Sequence, residues 1–180
     1  GDAIDVDCVQ NEAGAVATSP IVTTTATVTR NAEALSYQTA GNIDAALGTL
    51  FCEYSVYEQT SAAPRAIIGL STTAATANAL LLHATSVATS SLSSGDGTTI
   101  FAKTGLGSAV NTKRKAAVSW GTGRSLTAEG LATQSGVFSG TLPSVAIAPG
   151  AYTNGTFPMN GYIGPVAIYN YQMTNAELQA

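Results

Sequence analysis

Between residues 48 and 57 the chain alternates two sets of side chains: Leu50, Cys52, Tyr54 and Val56 on one side, Phe51, Glu53, Ser55 and Tyr57 on the other. Successive Cβ atoms of a strand point to opposite faces, so this period of two predicts a strand with one face in a core and the other half wet. The rhythm recurs in β-branched runs broken by Gly, Asn, Ser and Pro about every 8–12 residues, the spacing of sandwiches and barrels. Strands are expected at Thr23–Arg30, Ala34–Tyr37, Gly48–Tyr57, Arg65–Ser71, Ala79–His83, Thr98–Lys103, Lys113–Trp120, Arg124–Glu129, Ser144–Ala148 and Gly161–Tyr169. Pro165 in the last of these lacks an N–H and demands an edge position or a bulge.

Turn chemistry agrees with an all-β reading. Asn154-Gly155 and Asn160-Gly161 are hairpin-type dipeptides, and Ser94-Gly95-Asp96-Gly97 is a tight turn that glycine permits. The Ser, Thr and Ala-rich stretch from Ala84 to Ser94 fits either a strand pair or a flexible loop. Thr174 followed by Glu177 at the third helical position is a capping box, which predicts one short helix near residue 178.

Composition narrows the function classes. The 180 residues are 45% hydrophobic and only 10% charged, well under the roughly 25% charged of an average soluble protein. Polarity comes from hydroxyls, amides and glycine, and the apolar fraction argues against disorder. With 7 basic and 11 acidic residues, the chain offers no footprint for a phosphate backbone, so nucleic acid is not expected as a partner. The run Lys113-Arg114-Lys115 reads as a solvated strand edge. No stretch approaches the ~20 apolar residues of a membrane-spanning helix, and no membrane insertion is expected.

Cys8 and Cys52 are too few for a disulfide framework or a zinc site. Cys52, between apolar neighbours, reads as a buried thiol, with a Cys8–Cys52 bridge as the alternative. Metal-binding residues and cofactors are not expected. Asp96 between two glycines offers one carboxylate where calcium wants roughly 6–8 oxygens, so the turn reading stands.

Catalytic chemistry finds no support. Glycosidases need two carboxylates about 5–5.5 Å apart in the retaining case, and same-face residues of one strand lie at even separations. Glu53 and Glu58 are separated by an odd number of positions, and Asp5 and Asp7 read as a solvent-facing terminal strand. His83, the single histidine, closes an apolar run and reads as a strand-end residue rather than a general base.

The stretch Asn160-Gly161-Tyr162-Ile163-Gly164-Pro165-Val166-Ala167-Ile168-Tyr169-Asn170-Tyr171-Gln172-Met173-Thr174-Asn175-Ala176-Glu177-Leu178 resembles the closing segment of concanavalin A-like (laminin-G-like) jelly rolls, with Met173 where that family usually has Leu. Gly48–Ser55 is similar to the family's G-T-L-Y-V-E-F-S strand, and Lys115–Trp120 to the strand before its glycine-bounded hairpin, here Gly123–Gly130. Gln10–Gly14, Ala17–Ile21 and Val28–Ala32 resemble a connector of bacteriophage tail-fibre and tailspike-like proteins, although Glu33 stands near the usual Asp. The resemblance implies a two-sheet antiparallel jelly-roll sandwich over residues 23–180 with one short C-terminal helix, preceded by a linker and terminal strand over residues 1–22. It further implies a module of a phage appendage or another extracellular surface, which recognises host-surface glycans and assembles as a homo-oligomer, a trimer among the options.

Sugar recognition needs an aromatic plate for a pyranose face and polar groups for its hydroxyls. Candidates are Tyr57 and Glu53 on the half-wet face of the best strand, Tyr152, Asn154 and Phe157 in one loop, and Trp120. Each has a plain alternative. Trp120 shares parity with Ala116 and Val118 and fits a core, the loop aromatics fit anchoring, and the Glu53–Tyr57 face fits a subunit contact. Three functions remain open: a non-catalytic glycan-binding module, a purely structural oligomerising fibre or capsid-decoration domain, and a polysaccharide-degrading enzyme.

Overall fold

A computed structural model describes residues 35–38, 40–57, 65–70, 79–85, 90–104, 112–129, 131–143, 146–152 and 158–180. All of them belong to a compact unit spanning Ala34–Ala180. The expected strand Thr23–Arg30 and the division at residue 22 lie outside the described residues.

Among the described residues ten strands and one helix follow in chain order: β1 Gly48–Val56, β2 Arg65–Gly69, β3 Ala79–Thr85, β4 Ser90–Gly95, β5 Ile100–Thr104, β6 Arg114–Trp120, β7 Arg124–Ala128, β8 Gln134–Gly136, β9 Ala148–Pro149, β10 Gly161–Tyr169 and α1 Asn175–Gln179. They form two five-stranded antiparallel sheets, ordered β10-β1-β6-β7-β8 and β5-β4-β3-β2-β9. This is the expected all-β jelly-roll sandwich.

The alternation along β1 sets the core. Leu50, Cys52 and Tyr54 have no exposure and Val56 little, and they pack with Ala116, Val118, Trp120, Leu126 and Ala128 of the same sheet. Ile67, Ile68, Leu80 and Leu92 close over them from the second sheet. Each fully buried aliphatic side chain contributes about 1.5–3 kcal/mol. Gly48 lies against the Trp120 ring, where an added Cβ would stand 2.5 Å from its Cζ2.

Several expectations are corrected. Ala34–Tyr37 is not a strand over its described residues; only Tyr37 pairs, in a single bridge with Ile147. The stretch from Ala84 to Ser94, whose sequence fits either a strand pair or a loop, supplies the end of β3 and all of β4 but Gly95, with pairs from Leu82↔Ser93 to Thr85↔Ser90. Its serines gave no apolar alternation to mark it. The short β8 escaped notice for the same reason. Pro165 sits where Cys52↔Val166 shifts to Tyr54↔Ile163, so Gly164 and Pro165 together oppose Glu53 in a bulge.

The turn after β4 is fixed by Asp96. Its Oδ1 accepts from the amides of Thr98 (3.0 Å) and Thr99 (2.7 Å), and its Oδ2 from the amide of Ser139 (2.8 Å). Arg124, buried at the start of β7, donates from Nε to Val137 O and from Nη2 to the Thr99 hydroxyl, with its guanidinium 4.9 Å from the Phe101 ring centre. Burial alone would raise the Asp96 pKa, but the amides of Thr99, Ser139 and Thr98 and the charge of Arg124 outweigh it and hold the carboxyl below its ordinary value.

Candidate functional site

The outer face of the β10-β1-β6-β7-β8 sheet is divided in two. At the end near Gly48 and Trp120 it is covered by the arm that follows β10. The Thr49 hydroxyl donates to Tyr171 O and accepts from the Met173 amide, at 2.8 and 2.9 Å. The Gln172 side chain accepts from the Thr122 amide and donates to Gly123 O. Beyond it the predicted capping box is present: the Glu177 amide donates to Thr174 Oγ1 and the Thr174 amide to Glu177 Oε2. The helix then packs beside β7.

The opposite half of this face lacks the arm and carries the polar positions of β1. Glu53, Ser55 and Tyr57 share it by parity, Ser55 pairs with Tyr162 of β10, and Tyr54 pairs with Arg114, which puts Lys113 beside Ser55 on the other flank. Tyr57 and Tyr162 are each 42% exposed. A Cβ added to Gly164 would stand 3.1 Å from Tyr162 Cε1 and 3.1 Å from Glu53 Cβ. The Tyr162 ring therefore reclines over the bare backbone of Gly164, next to Glu53, because glycine leaves that space.

Charge frames the two tyrosines. Lys113 Nζ lies 5.8 Å from the Tyr162 ring centre, within cation–π range. Lys115 Nζ is 4.0 Å from Glu53 Oε1, and the Lys115 amide donates to Glu129 Oε1 at 2.9 Å. With the lysine side chain 66% exposed, that ion pair contributes at most about 1 kcal/mol. Beneath this layer the Ser55 hydroxyl is buried with no hydrogen-bond partner. An unmet buried hydroxyl costs about 1–3 kcal/mol.

The predicted candidates separate. Glu53 and Tyr57 lie on the open half-face. Trp120 is fully buried with its indole N–H donating to Asp44 O at 2.9 Å, so it is a core residue and offers no stacking face. Tyr152 is also fully buried, and burial pushes its hydroxyl up to about 12; it anchors its segment rather than meeting a ligand. Asn154 and Phe157 lie outside the described residues. Sequence reasoning missed Tyr162, Lys113 and Lys115. Tyr162 was hidden because the bulge breaks the alternation of β10, and the basic run had been read as solvent-facing edge alone. Among the described residues no three His, Cys, Asp or Glu groups converge as a metal site would need. Among them, too, no helix is long and apolar enough to cross a membrane.

No protein-family model matches the chain, and no curated protein sequence does so significantly. Solved structures do. The carbohydrate-binding module CBM40 of the Ruminococcus gnavus IT-sialidase, bound to α2,3-sialyllactose, is similar with a TM-score of 0.55 at 15% identity, over 83% of this chain and 92% of that one. The same module bound to α2,6-sialyllactose gives a TM-score of 0.53 at 15% identity, over 83% of this chain and 93% of the other. The sialidase of Trypanosoma rangeli gives 0.52 at 14% identity, over 74% of this chain but only 22% of the enzyme. At these identities the likeness is one of fold: this chain has the β-sandwich architecture of those modules.

Proposed function

We propose that this domain is a non-catalytic carbohydrate-binding module whose sugar site is the open half-face of Glu53, Ser55, Tyr57, Lys113, Lys115 and Tyr162. The observation that carries the reading is the pair of exposed tyrosines, Tyr57 and Tyr162, beside Glu53. Aromatic faces take the apolar side of a pyranose while carboxylate, ammonium and hydroxyl groups answer its OH groups. The fold shared with a glycan-bound module supports it. The reading of binding rather than catalysis is supported by the fold likeness to a carbohydrate-binding module, with Glu53 and Glu129 engaged by the Lys115 ammonium and amide. Asn154 and Phe157 remain a second proposed contact on their sequence alone. The setting we propose is a phage fibre or comparable extracellular appendage that displays the site to host-surface glycans, a reading supported by the connector-like residues 10–32.

A glycan array with the full chain tests this. Binding to at least one glycan, lost roughly tenfold or more in Tyr57→Ala and in Tyr162→Ala while the fold is retained, is expected. A blank array would overturn it.

One observation favours the structural reading beside it. β10 carries no charged residue, and Val166, Tyr169 and Tyr171 are exposed along and just beyond it. Uncharged edge strands invite pairing with another copy. Light scattering that shows oligomers, dispersed by Val166→Lys, is the expected result of that reading; a monomer at all concentrations would overturn it.

A further inference from the structure

The bulge in β10 decides which way its tyrosines face. Tyr162 and Tyr169 stand seven positions apart, and an odd separation in a regular strand puts two side chains on opposite faces. Between them Gly164 and Pro165 together oppose Glu53, and that extra residue restores the parity. Tyr162 pairs with Ser55 and Tyr169 with Thr49, six positions apart on β1. Both rings therefore belong to the outer face that also carries Tyr57.

Among the described residues the exposed aromatic side chains include Tyr57, Tyr162, Tyr169 and Tyr171, and these four gather at the two ends of β10. Tyr57 and Tyr162 form the platform already described. At the other end the rings of Tyr169 and Tyr171 meet edge to face, with centroids 6.0 Å apart and planes at 66°. The Tyr171 backbone is pinned over the same face, because its carbonyl accepts from the Thr49 hydroxyl at 2.8 Å. An ordered pair of exposed rings offers stacking surface at low entropic cost.

The floor between the two pairs is low. Ala167 of β10 and Ala117 of β6 both pair with Phe51, and Gly164 brings no side chain. Six positions of extended β1 separate the partners of the two platforms, a span of about 20 Å. That is too long for one sugar ring and suits a run of them. Strand twist turns one platform relative to the other, which a single flexible chain can follow and a flat crystalline surface cannot.

We infer that the glycan taken by this module is a linear polysaccharide bound along its length, with Tyr57 and Tyr162 holding one stretch and Tyr169 and Tyr171 another. The inference rests on the carbohydrate-binding reading above and names its substrate class: an internal run of a chain rather than one terminal sugar. A chain already held at the first platform reaches the second in an intramolecular step, so affinity climbs sharply once the ligand is long enough to touch both.

The test is isothermal titration calorimetry of the full chain with size-fractionated chito-, cello- and sialic acid oligosaccharides, from disaccharides to chains longer than the ~20 Å span. In at least one series affinity is expected to rise roughly tenfold or more as chain length passes that span. The double variant Tyr169→Ala/Tyr171→Ala should erase the rise and leave binding of the short members unchanged, which also reports a retained fold. Tyr169→Phe/Tyr171→Phe should keep the rise. Affinity that is flat with length, or a rise that survives the double alanine variant, would overturn chain binding and leave the carbohydrate reading standing. So would silence of all three series beside a positive glycan array, or a double variant that changes only the oligomeric state seen by light scattering. A blank array would instead remove the underlying function.

Discussion

The guanidinium of Arg124 and the carboxylate of Asp96 lie 3.7 Å apart, and neither side chain reaches solvent. Around them the hydrogen bonds to Thr98, Thr99, Val137 and Ser139 tie the β4–β5 turn to β7 and to the segment after β8. Nη1 of Arg124 has no partner among these. Removing one member of a buried pair strands the other charge, at a cost of about 3–5 kcal/mol. Arg124→Ala is therefore expected to lower the urea midpoint by that amount of stability at constant m value. Losses below about 1 kcal/mol would mean the pair is no better than a surface contact.

The same carboxylate predicts how stability responds to acid. Its folded pKa is below the ordinary value of 3.8, so the pair's contribution is fully present above that pH. It is lost as the pH falls through the lower folded value, because the unfolded chain then binds the proton more readily. Thermal melts across this range should show stability dropping toward acid, with a shallower drop in Asp96→Asn. Identical slopes for the two proteins would assign acid sensitivity elsewhere.

Gly164 is expected to act on recognition more than on folding. A methyl group there meets Tyr162 and Glu53 at 3.1 Å, close enough to push the ring off the strand. Gly164→Ala should weaken glycan binding severalfold with a stability change within about 1 kcal/mol. Unchanged affinity in the titration would show that the reclining ring is irrelevant to the ligand.

Cys52 has no exposure, and burial pushes its thiol up to about 12. The thiolate is the reactive form, so the native protein should leave this residue unmodified by iodoacetamide near neutral pH. Denaturant should make it react fully. Peptide mapping by mass spectrometry reads the site directly, and labelling of Cys52 in the native state would contradict the packing described for β1.

How much of this was legible beforehand depended on whether a signal was local. The β1 alternation gave its strand, its face and the core row from Leu50 to Val56, and Thr174 with Glu177 gave the helix cap, because both rest on neighbours a few positions apart. β4 was ambiguous because a serine buried by a partner strand looks in sequence like a serine in water; Ser93 and Ser94 are both buried. For the site, parity placed Glu53 and Tyr57 on one face, but Tyr162 and Lys113 reach them only through pairing across long separations. Trp120 and Tyr152 show the converse: an aromatic residue announces a large apolar surface, and only packing decides whether a core or a ligand covers it.

The fastening of Thr49 to Tyr171, 122 positions apart, carries a consequence for biogenesis. β1 is translated well before its neighbours β6 and β10, and loop-closure entropy is lost before those pairings return any enthalpy. The nascent chain must keep an apolar strand idle until those partners emerge. Its low charge makes that wait hazardous, so slow, chaperone-sensitive maturation is built into the order in which the ribosome delivers the strands.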